Sequence, residues 1–265
     1  MALQLDDRQR AILREMGVRV WLPGTAFAPN EEVSAVPVPS SVLAAVEPGS
    51  GSEPQDSIVR TAGPDWDALV HAAASCQACG LCAGRKQATL RAPLDTGPVD
   101  WMVVGDPPDD DEDRLGTAFV EQAGGLLDNM LKAVRVSRKG TGANGAYLTN
   151  VVKCRPPMGR LPQAGEIAAC AGFLRREIEL VQPKVILAMG RFALQALMIE
   201  HAEQAALPLG KQRGRVYRYG SIPVVVTYHP QVLLRASADK AKAWADLCLA
   251  VQVVRDAGAC LQSPP

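Results

Sequence analysis

A chain of 265 residues, 48% of them hydrophobic, is long enough to bury one large α/β core or two small ones, which excludes wholesale disorder. Its 28 basic and 28 acidic residues cancel, so bulk charge selects neither a polyanion nor a polycation as partner. No apolar run approaches the ~20 residues that span a bilayer and the start lacks the basic-then-apolar order of a secretion signal, so a soluble, cytoplasmic protein is expected. In that compartment seven cysteines read as thiols or as metal or cluster ligands rather than as disulfides.

Residues 1–21 end in DDRQRAILREMGVRVW, with Ile12, Leu13 and Met16 at helical spacing and a stop at Gly17. A short amphipathic helix is expected there, too short to fold alone. Residues 22–64 hold seven of the 20 prolines and a Gly-Ser-Gly-Ser run at 49–52, the composition of a disordered linker. Beyond it helical and strand-like stretches alternate. Helices are expected at 65–75, 118–134, 163–181, 191–200 and 238–255, the second with Phe119, Leu126, Leu127, Met130 and Leu131 on its inner side. Strands are expected at 101–105 (WMVVG), 147–152 (YLTNVV), 184–190 (KVILAMG) and 222–228 (IPVVVTY). Short apolar strands separated by helices predict an α/β fold: a three-layer αβα domain over 65–256 with a central, mostly parallel four-stranded sheet, then a flexible tail at 257–265. Ligands of such sheets bind beyond the carboxyl ends of the strands.

Charge is unevenly spread. Six acids crowd the stretch GDPPDDDED at 105–113, read as a loop; outside it, residues 65–265 carry 23 basic against 14 acidic side chains, a balance that suits a polyanion. A merely solvated basic face is the alternative.

Cys76, Cys79 and Cys82 are spaced C-x2-C-x2-C, and Cys154 and Cys170 follow in the second half. Four thiolates suit zinc or an iron–sulfur cluster. Ferredoxin spacing needs a fourth cysteine and a proline soon after Cys82, where Ala83-Gly84-Arg85 stands, so a tetrad must draw on the distant pair and would staple the Cys76 segment to the α/β body. Each cysteine taken singly reads as a small core residue; their spacing argues otherwise.

The stretches CQACGLCAGR (76–85), WMVVGDPP (101–108), EDRLGTAFVEQAG (112–124), YLTNVVKCRPP (147–157), EIAAC (166–170), PKVILAMGR (183–191) and VVTYHPQVLLR (225–235) come in the order found in the family 4 uracil-DNA glycosylases, the iron–sulfur branch of their superfamily, which the chain resembles over roughly residues 66–250. The resemblance implies a 4Fe-4S cluster on Cys76, Cys79, Cys154 and Cys170, with Cys82 a spare thiol. It implies a DNA-repair hydrolase that flips uracil out of the helix, cleaves its N-glycosidic bond and leaves an abasic site. In that reading Gly105 and Phe119 line the base, and Asn150 offers a donor to uracil O4 and an acceptor to N3–H. His229 donates toward O2 as the leaving group gains charge, and a carboxylate, Asp106 or Glu112, aligns the water.

The chain departs from the family's first motif, G-E-(A or G)-P-G, because Asp106 replaces the glutamate and Asp109 replaces the last glycine. Glu121 stands at a further glycine position, and Gly159-Arg160 replaces Asn-Arg. These changes motivate an alternative, a catalytically weak DNA-binding paralogue attached to the replication machinery; an electron-transfer protein is a more distant rival. DNA contacts are expected from Arg155, Arg160, Lys184 or Arg191, and from Leu233, Leu234 and Arg235, with a leucine wedge filling the flipped base's place. The run at 6–21 is similar to the amino-terminal peptide of the clamp-loader psi subunit, which implies the chi subunit as a partner of an otherwise monomeric enzyme.

Overall fold

A computed structural model of the chain describes residues 66–93, 99–198 and 207–260, without the side chains of 258–260. The expected helix in 1–21, the linker at 22–64 and residues 261–265 lie outside the described residues.

Helix α1 (Trp66–Ser75) leads through a short 3-10 turn at Gly80–Gly84 to β1 (Val99–Gly105). Helices α2 (Asp110–Leu115) and α3 (Glu121–Ala133) precede β2 (Gly142–Asn150); α4 (Ala164–Val181), β3 (Val185–Met189) and α5 (Arg191–Leu197) follow. The chain then forms α6 (Leu209–Gln212), β4 (Val216–Tyr219), β5 (Ile222–Thr227), α7 (Pro230–Arg235) and α8 (Lys240–Cys260). The strands order as β2-β1-β3-β5-β4, parallel except for β4.

Every residue of β1 and β3 is buried, as expected of parallel strands covered on both faces. Alternate side chains divide into two cores. Met102, Val104, Ile186, Ala188, Val224 and Val226 pack with α1, α4 and α5, whereas Trp101, Val103, Leu187 and Val225 pack with Leu127 and Leu131 of α3 and Leu247 of α8. This is the expected three-layer αβα arrangement.

The sheet has five strands rather than four. The missed strand, β4, pairs antiparallel with β5 across a turn at Gly220, whose φ is 56°. Its sequence VYRY is only half covered and carries Arg218, so it lacks a buried strand's continuous apolar run and instead has the charged character of a protected edge. Helix α3 starts at Glu121, not 118, because Phe119 (φ 55°) occupies the left-handed region and Val120 after it is extended. That backbone persists because Phe119 N–H donates to Glu112 and Arg138 donates to Phe119 O at 3.1 Å. The acidic stretch expected as a loop is in part α2: Asp109 caps it, and its acidic first turn complements the helix dipole. Helix α8 continues to Cys260, into the expected tail. Among the described residues no helix is long and apolar enough to cross a membrane.

Candidate functional site

Strand register assembles the site. Gly105 pairs with Asn150 on one side and Met189 on the other, and Met189 pairs with Thr227, so the loops after β1, β2, β3 and β5 leave one end of the sheet. A Cβ at Gly105 would lie 2.6 Å from Phe119 Cζ, so this glycine is what lets the ring rest on the strand end. The Phe119 ring stacks on that of His229, with centroids 5.3 Å apart and planes inclined by 21°.

Among the described residues two buried polar atoms, one on Asn150 and one on the His229 ring, have no hydrogen-bond partner. Asn150 is fully buried, and its Nδ2 donates to Asp106 O at 3.0 Å and Glu112 Oε2 at 3.3 Å. Those acceptors fix the orientation of the amide and leave Oδ1 unpaired. His229 caps α7: its Nδ1 accepts from Gln231 N–H at 3.3 Å, which assigns the proton of a neutral imidazole to Nε2, also buried and unpaired. Burial alone pushes the His229 pKa down to about 4, so the ring is neutral near pH 7. One acceptor and one donor thus stand unsatisfied among the described residues, each at a cost of about 1–3 kcal/mol that a complementary ligand would recover.

Two carboxylates flank them. Glu112 is 4% exposed and accepts from the backbone N–H groups of Asp109 (3.0 Å) and Phe119 besides Asn150. Burial pushes its pKa up to about 7, against these hydrogen bonds and with help from the charge of Asp109. Asp106 is raised to about 6, again by burial, opposed by the Phe192 and Ala193 amides and the charge of Arg191. Its carboxylate accepts from Phe192 N–H at 2.9 Å, at the start of α5, where a Cβ at Gly190 would fall 2.1 Å from Asp106 Oδ2.

The expected DNA-contacting residues separate into groups. Leu233 is 1% exposed and packs inward, which corrects its assignment to a wedge: the helical turn buries it and leaves Leu234, 43% exposed, outside. Leu234 and Arg235 line an open groove with Asp109, Val120, Glu121 and Gln231. Arg155 pairs with Asp110 at 2.6 Å, and Arg160 forks onto Glu166 at the start of α4. Lys184 pairs with Asp100 at the amino ends of β1 and β3, the opposite end of the sheet from Asn150, which removes it from the expected surface. Arg191 opens α5 and stacks its guanidinium 4.5 Å from the Phe192 ring centroid.

The cysteines from both halves of the chain meet. Cys76, Cys79, Cys82, Cys154 and Cys170 line one cavity with Ala73, Lys153 and Phe173. Arg85 donates to Cys154 Sγ at 3.3 Å and to Cys76 O at 3.0 Å, and Lys153 N–H donates to Cys170 Sγ at 3.3 Å. Burial pushes the Cys170 thiol up to about 12 and raises Cys154 and Cys79 as well. Among the described residues no three His, Cys, Asp or Glu side chains converge on a single ion. A tetrahedral zinc would hold its sulfurs about 3.8 Å apart, given Zn–S bonds of about 2.3 Å; a four-iron cluster spreads its ligands wider.

One network escaped sequence reasoning. Lys153 Nζ, fully enclosed, donates to Glu177 Oε2 (2.6 Å), Thr149 Oγ1 (2.7 Å) and Asn150 O (2.7 Å), while Glu177 Oε1 accepts from Tyr147 and Thr149 hydroxyls at 2.8 Å. It joins the end of β2 to α4 between the cysteine cavity and Asn150. The available signal was slight: Lys153 directly follows the apolar pair Val151-Val152, but Glu177 is one of two glutamates in REIEL (176–180), and nothing local marks it as the buried one.

The model of the uracil DNA glycosylase superfamily matches residues 94–248. The type-4 uracil-DNA glycosylase of Archaeoglobus fulgidus is 34% identical over 173 residues, covering 63% of this chain and 82% of that protein. The type-4 enzyme of Pyrobaculum aerophilum is 38% identical over 152 residues (56% and 74%). That of Sulfurisphaera tokodaii is 37% identical over 137 residues, where the alignment spans half of this chain and 60% of the relative's length.

Proposed function

The chain belongs to the uracil-DNA glycosylase superfamily, and from that premise we propose that it removes uracil from DNA by hydrolysis of the N-glycosidic bond, leaving an abasic site. The observation that carries this reading is the pair of atoms unsatisfied among the described residues, the Asn150 Oδ1 acceptor and the His229 Nε2 donor, the latter on the ring that stacks on Phe119. Together they complement an imide edge, an N–H next to a carbonyl oxygen, as in uracil N3–H and O2. Cytosine offers a lone pair at N3, which would face the Asn150 oxygen and be repelled. Uracil O4 must find its donor elsewhere, since both protons of Asn150 Nδ2 already have acceptors in Asp106 O and Glu112.

The residues divide the work as follows. Phe119 stacks on the extruded base while Gly105 leaves room for its ring. His229, neutral, donates from Nε2 to O2 and stabilises the charge that develops as the bond breaks, in a site shielded from water. Asp106, ionised above pH about 6, aligns the water and faces the positive sugar, and Glu112 holds Asn150 and Phe119 in place. Leu234 fills the gap left by the base, with Arg235 and Arg155 on phosphates; Arg160, engaged by Glu166, supports α4 beside the cysteines.

Cys76, Cys79, Cys154 and Cys170 are assigned a 4Fe-4S cluster, supported by their shared cavity and the N–H···S bonds from Arg85 and Lys153. When bound, the cluster supplies structure rather than hydrolytic chemistry, pinning the 76–85 segment to α4. A monomer in the cytoplasm, with residues 6–21 as a docking peptide for the clamp-loader chi subunit, completes the proposal; its support is the sequence likeness in a segment outside the described residues.

One observation favours the catalytically weak paralogue as a second reading. The Asp106 carboxylate rests on the amides that open α5, and its side chain is one carbon shorter than the family's glutamate. Release of uracil from labelled single-stranded and mismatched duplex oligonucleotides decides between them. Excision at many turnovers supports the enzyme, specific binding without release supports the paralogue, and neither binding nor release overturns both.

A further inference from the structure

A chain of hydrogen bonds runs from Asn150 to His229. Asn150 Nδ2 donates to Glu112 Oε2, which also accepts from Asp109 N–H. Asp109 divides its own carboxylate: Oδ1 accepts from the amides of Asp111 (3.0 Å) and Glu112 (2.9 Å) and so caps α2, whereas Oδ2 accepts from the Gln231 side-chain amide. Gln231 in turn gives its backbone N–H to His229 Nδ1. Asn150 ends β2 and His229 follows β5, and β1 and β3 lie between them. Three strand spacings of about 4.8 Å place those backbones about 14 Å apart. Sheet register alone therefore does not set the distance between Oδ1 and Nε2, which must hold to about 0.5 Å for one small base to meet both.

We propose that Asp109 and Gln231 are positioning residues of the base pocket: their side-chain bond ties the capping box that holds Glu112 and Asn150 to the turn that holds His229, and so sets the spacing of the two base-reading atoms. This rests on the uracil-excision reading above. The resembled family carries glycine at position 109, which has no side chain to make such a tie, so the device is a feature of this chain's altered first motif. The tie also lines the groove shared with Val120, Glu121, Leu234 and Arg235, next to the segment assigned to DNA.

The test uses full-length protein and four variants: Gln231→Ala, Asp109→Ser, the double variant, and Asp109→Asn. Serine keeps the helix cap and loses the tie, whereas asparagine keeps the cap and can offer its amide to a flipped Gln231. Single-turnover uracil release should fall about 10-fold or more in each of the first two, with DNA Kd changed less than about 2-fold. The double variant should be no slower than Gln231→Ala, because both changes remove one interaction. Asp109→Asn should stay within about 3-fold of wild type. Histidine ring resonances give a readout independent of activity: those of His229 should shift alike in Gln231→Ala and Asp109→Ser and little in Asp109→Asn. If wild type itself releases no uracil, the activity reading fails and the tie stands or falls on these shifts. Wild-type His229 resonances in Gln231→Ala, or rate losses that multiply in the double variant, overturn the proposal.

Discussion

Replacing His229 by alanine tests the leaving-group assignment and the charge state of the pocket together. The ring is 6% exposed, and burial holds its pKa near 4, against 6.5 for an ordinary histidine. The unfolded chain thus binds this proton more readily than the folded one, so folded stability is full above pH 6.5 and declines as pH falls toward 4. At about 1.4 kcal/mol per unit the decline amounts to about 3 kcal/mol, and it disappears in His229→Ala. On the reaction, loss of one donor in a dry site lowers the rate roughly 100-fold to 1,000-fold, about 2.7–4 kcal/mol of transition-state stabilisation. The assay is single-turnover release of uracil from a labelled single-stranded oligonucleotide between pH 5 and 8.5, with an NMR titration of the three histidines. Wild-type rates should rise with pH through about 6 to 7 as Asp106 and Glu112 ionise, and one imidazole should titrate near 4. The same rising limb should persist, at a lower level, in His229→Ala. A falling limb near pH 6.5 that vanishes with the substitution would show imidazolium to be the working form and refute the neutral-donor argument; an unchanged rate would remove His229 from the chemistry.

Gly105→Ala places a Cβ 2.6 Å from Phe119 Cζ, so the ring must move; uracil release should drop at least about 10-fold while far-ultraviolet circular dichroism stays native. Alanine at Cys76, Cys79, Cys154 or Cys170 should abolish the brown chromophore and bound iron of anaerobically purified protein, whereas Cys82→Ala should retain both; a colourless, iron-free but folded wild type defeats the cluster. Leu233→Ala should cost about 2–5 kcal/mol of stability, read as a lowered Tm, whereas Leu234→Ala should leave Tm unchanged and weaken excision from duplex more than from single-stranded DNA. Lys153→Met leaves the Glu177 carboxylate enclosed without its cation and should destabilise by about 3–5 kcal/mol; adding Glu177→Leu should restore much of the loss, and a double variant no more stable than the single would deny the pair its coupling.

Strands β1, β3 and β5 were legible because their central residues are buried on both faces, so each carries an apolar run, WMVV, VILAM and VVV. Strand β4 was not, because an edge strand needs only one covered face and tolerates Arg218. The N-terminus of α2 carried a readable signal, Asp109 three residues before Glu112, and the density of acid around it disguised a capping box as a solvated loop. Nothing local announces the left-handed backbone of Phe119. That conformation costs energy on its own and exists because Glu112 and Arg138, seven residues before and nineteen after it, hold its amide and carbonyl.

The candidate site residues stand in the sequence as residue types in a motif, but which of their atoms are free is written only in the fold. A motif supplies an asparagine at 150; which of its two ends remains free is decided by Asp106 O and Glu112, and those acceptors occupy the donor end that was expected to face uracil O4. Leu233 and Leu234 are adjacent in sequence but about 100° apart around a helix, so one residue of register separates a core side chain from a wedge, and only packing of α7 against α3 selects between them. The carboxylates follow the same logic. Asp106 and Glu112 both look like candidates for the water, yet Glu112 is held by three donors that also fix Asn150 and Phe119, so removing it would disturb recognition before chemistry. The hold of Asp106 on Asn150 runs through its backbone carbonyl, whereas its carboxylate rests on the amides that open α5, so substitution of the side chain should act on the chemical step while leaving the base-reading atoms in place.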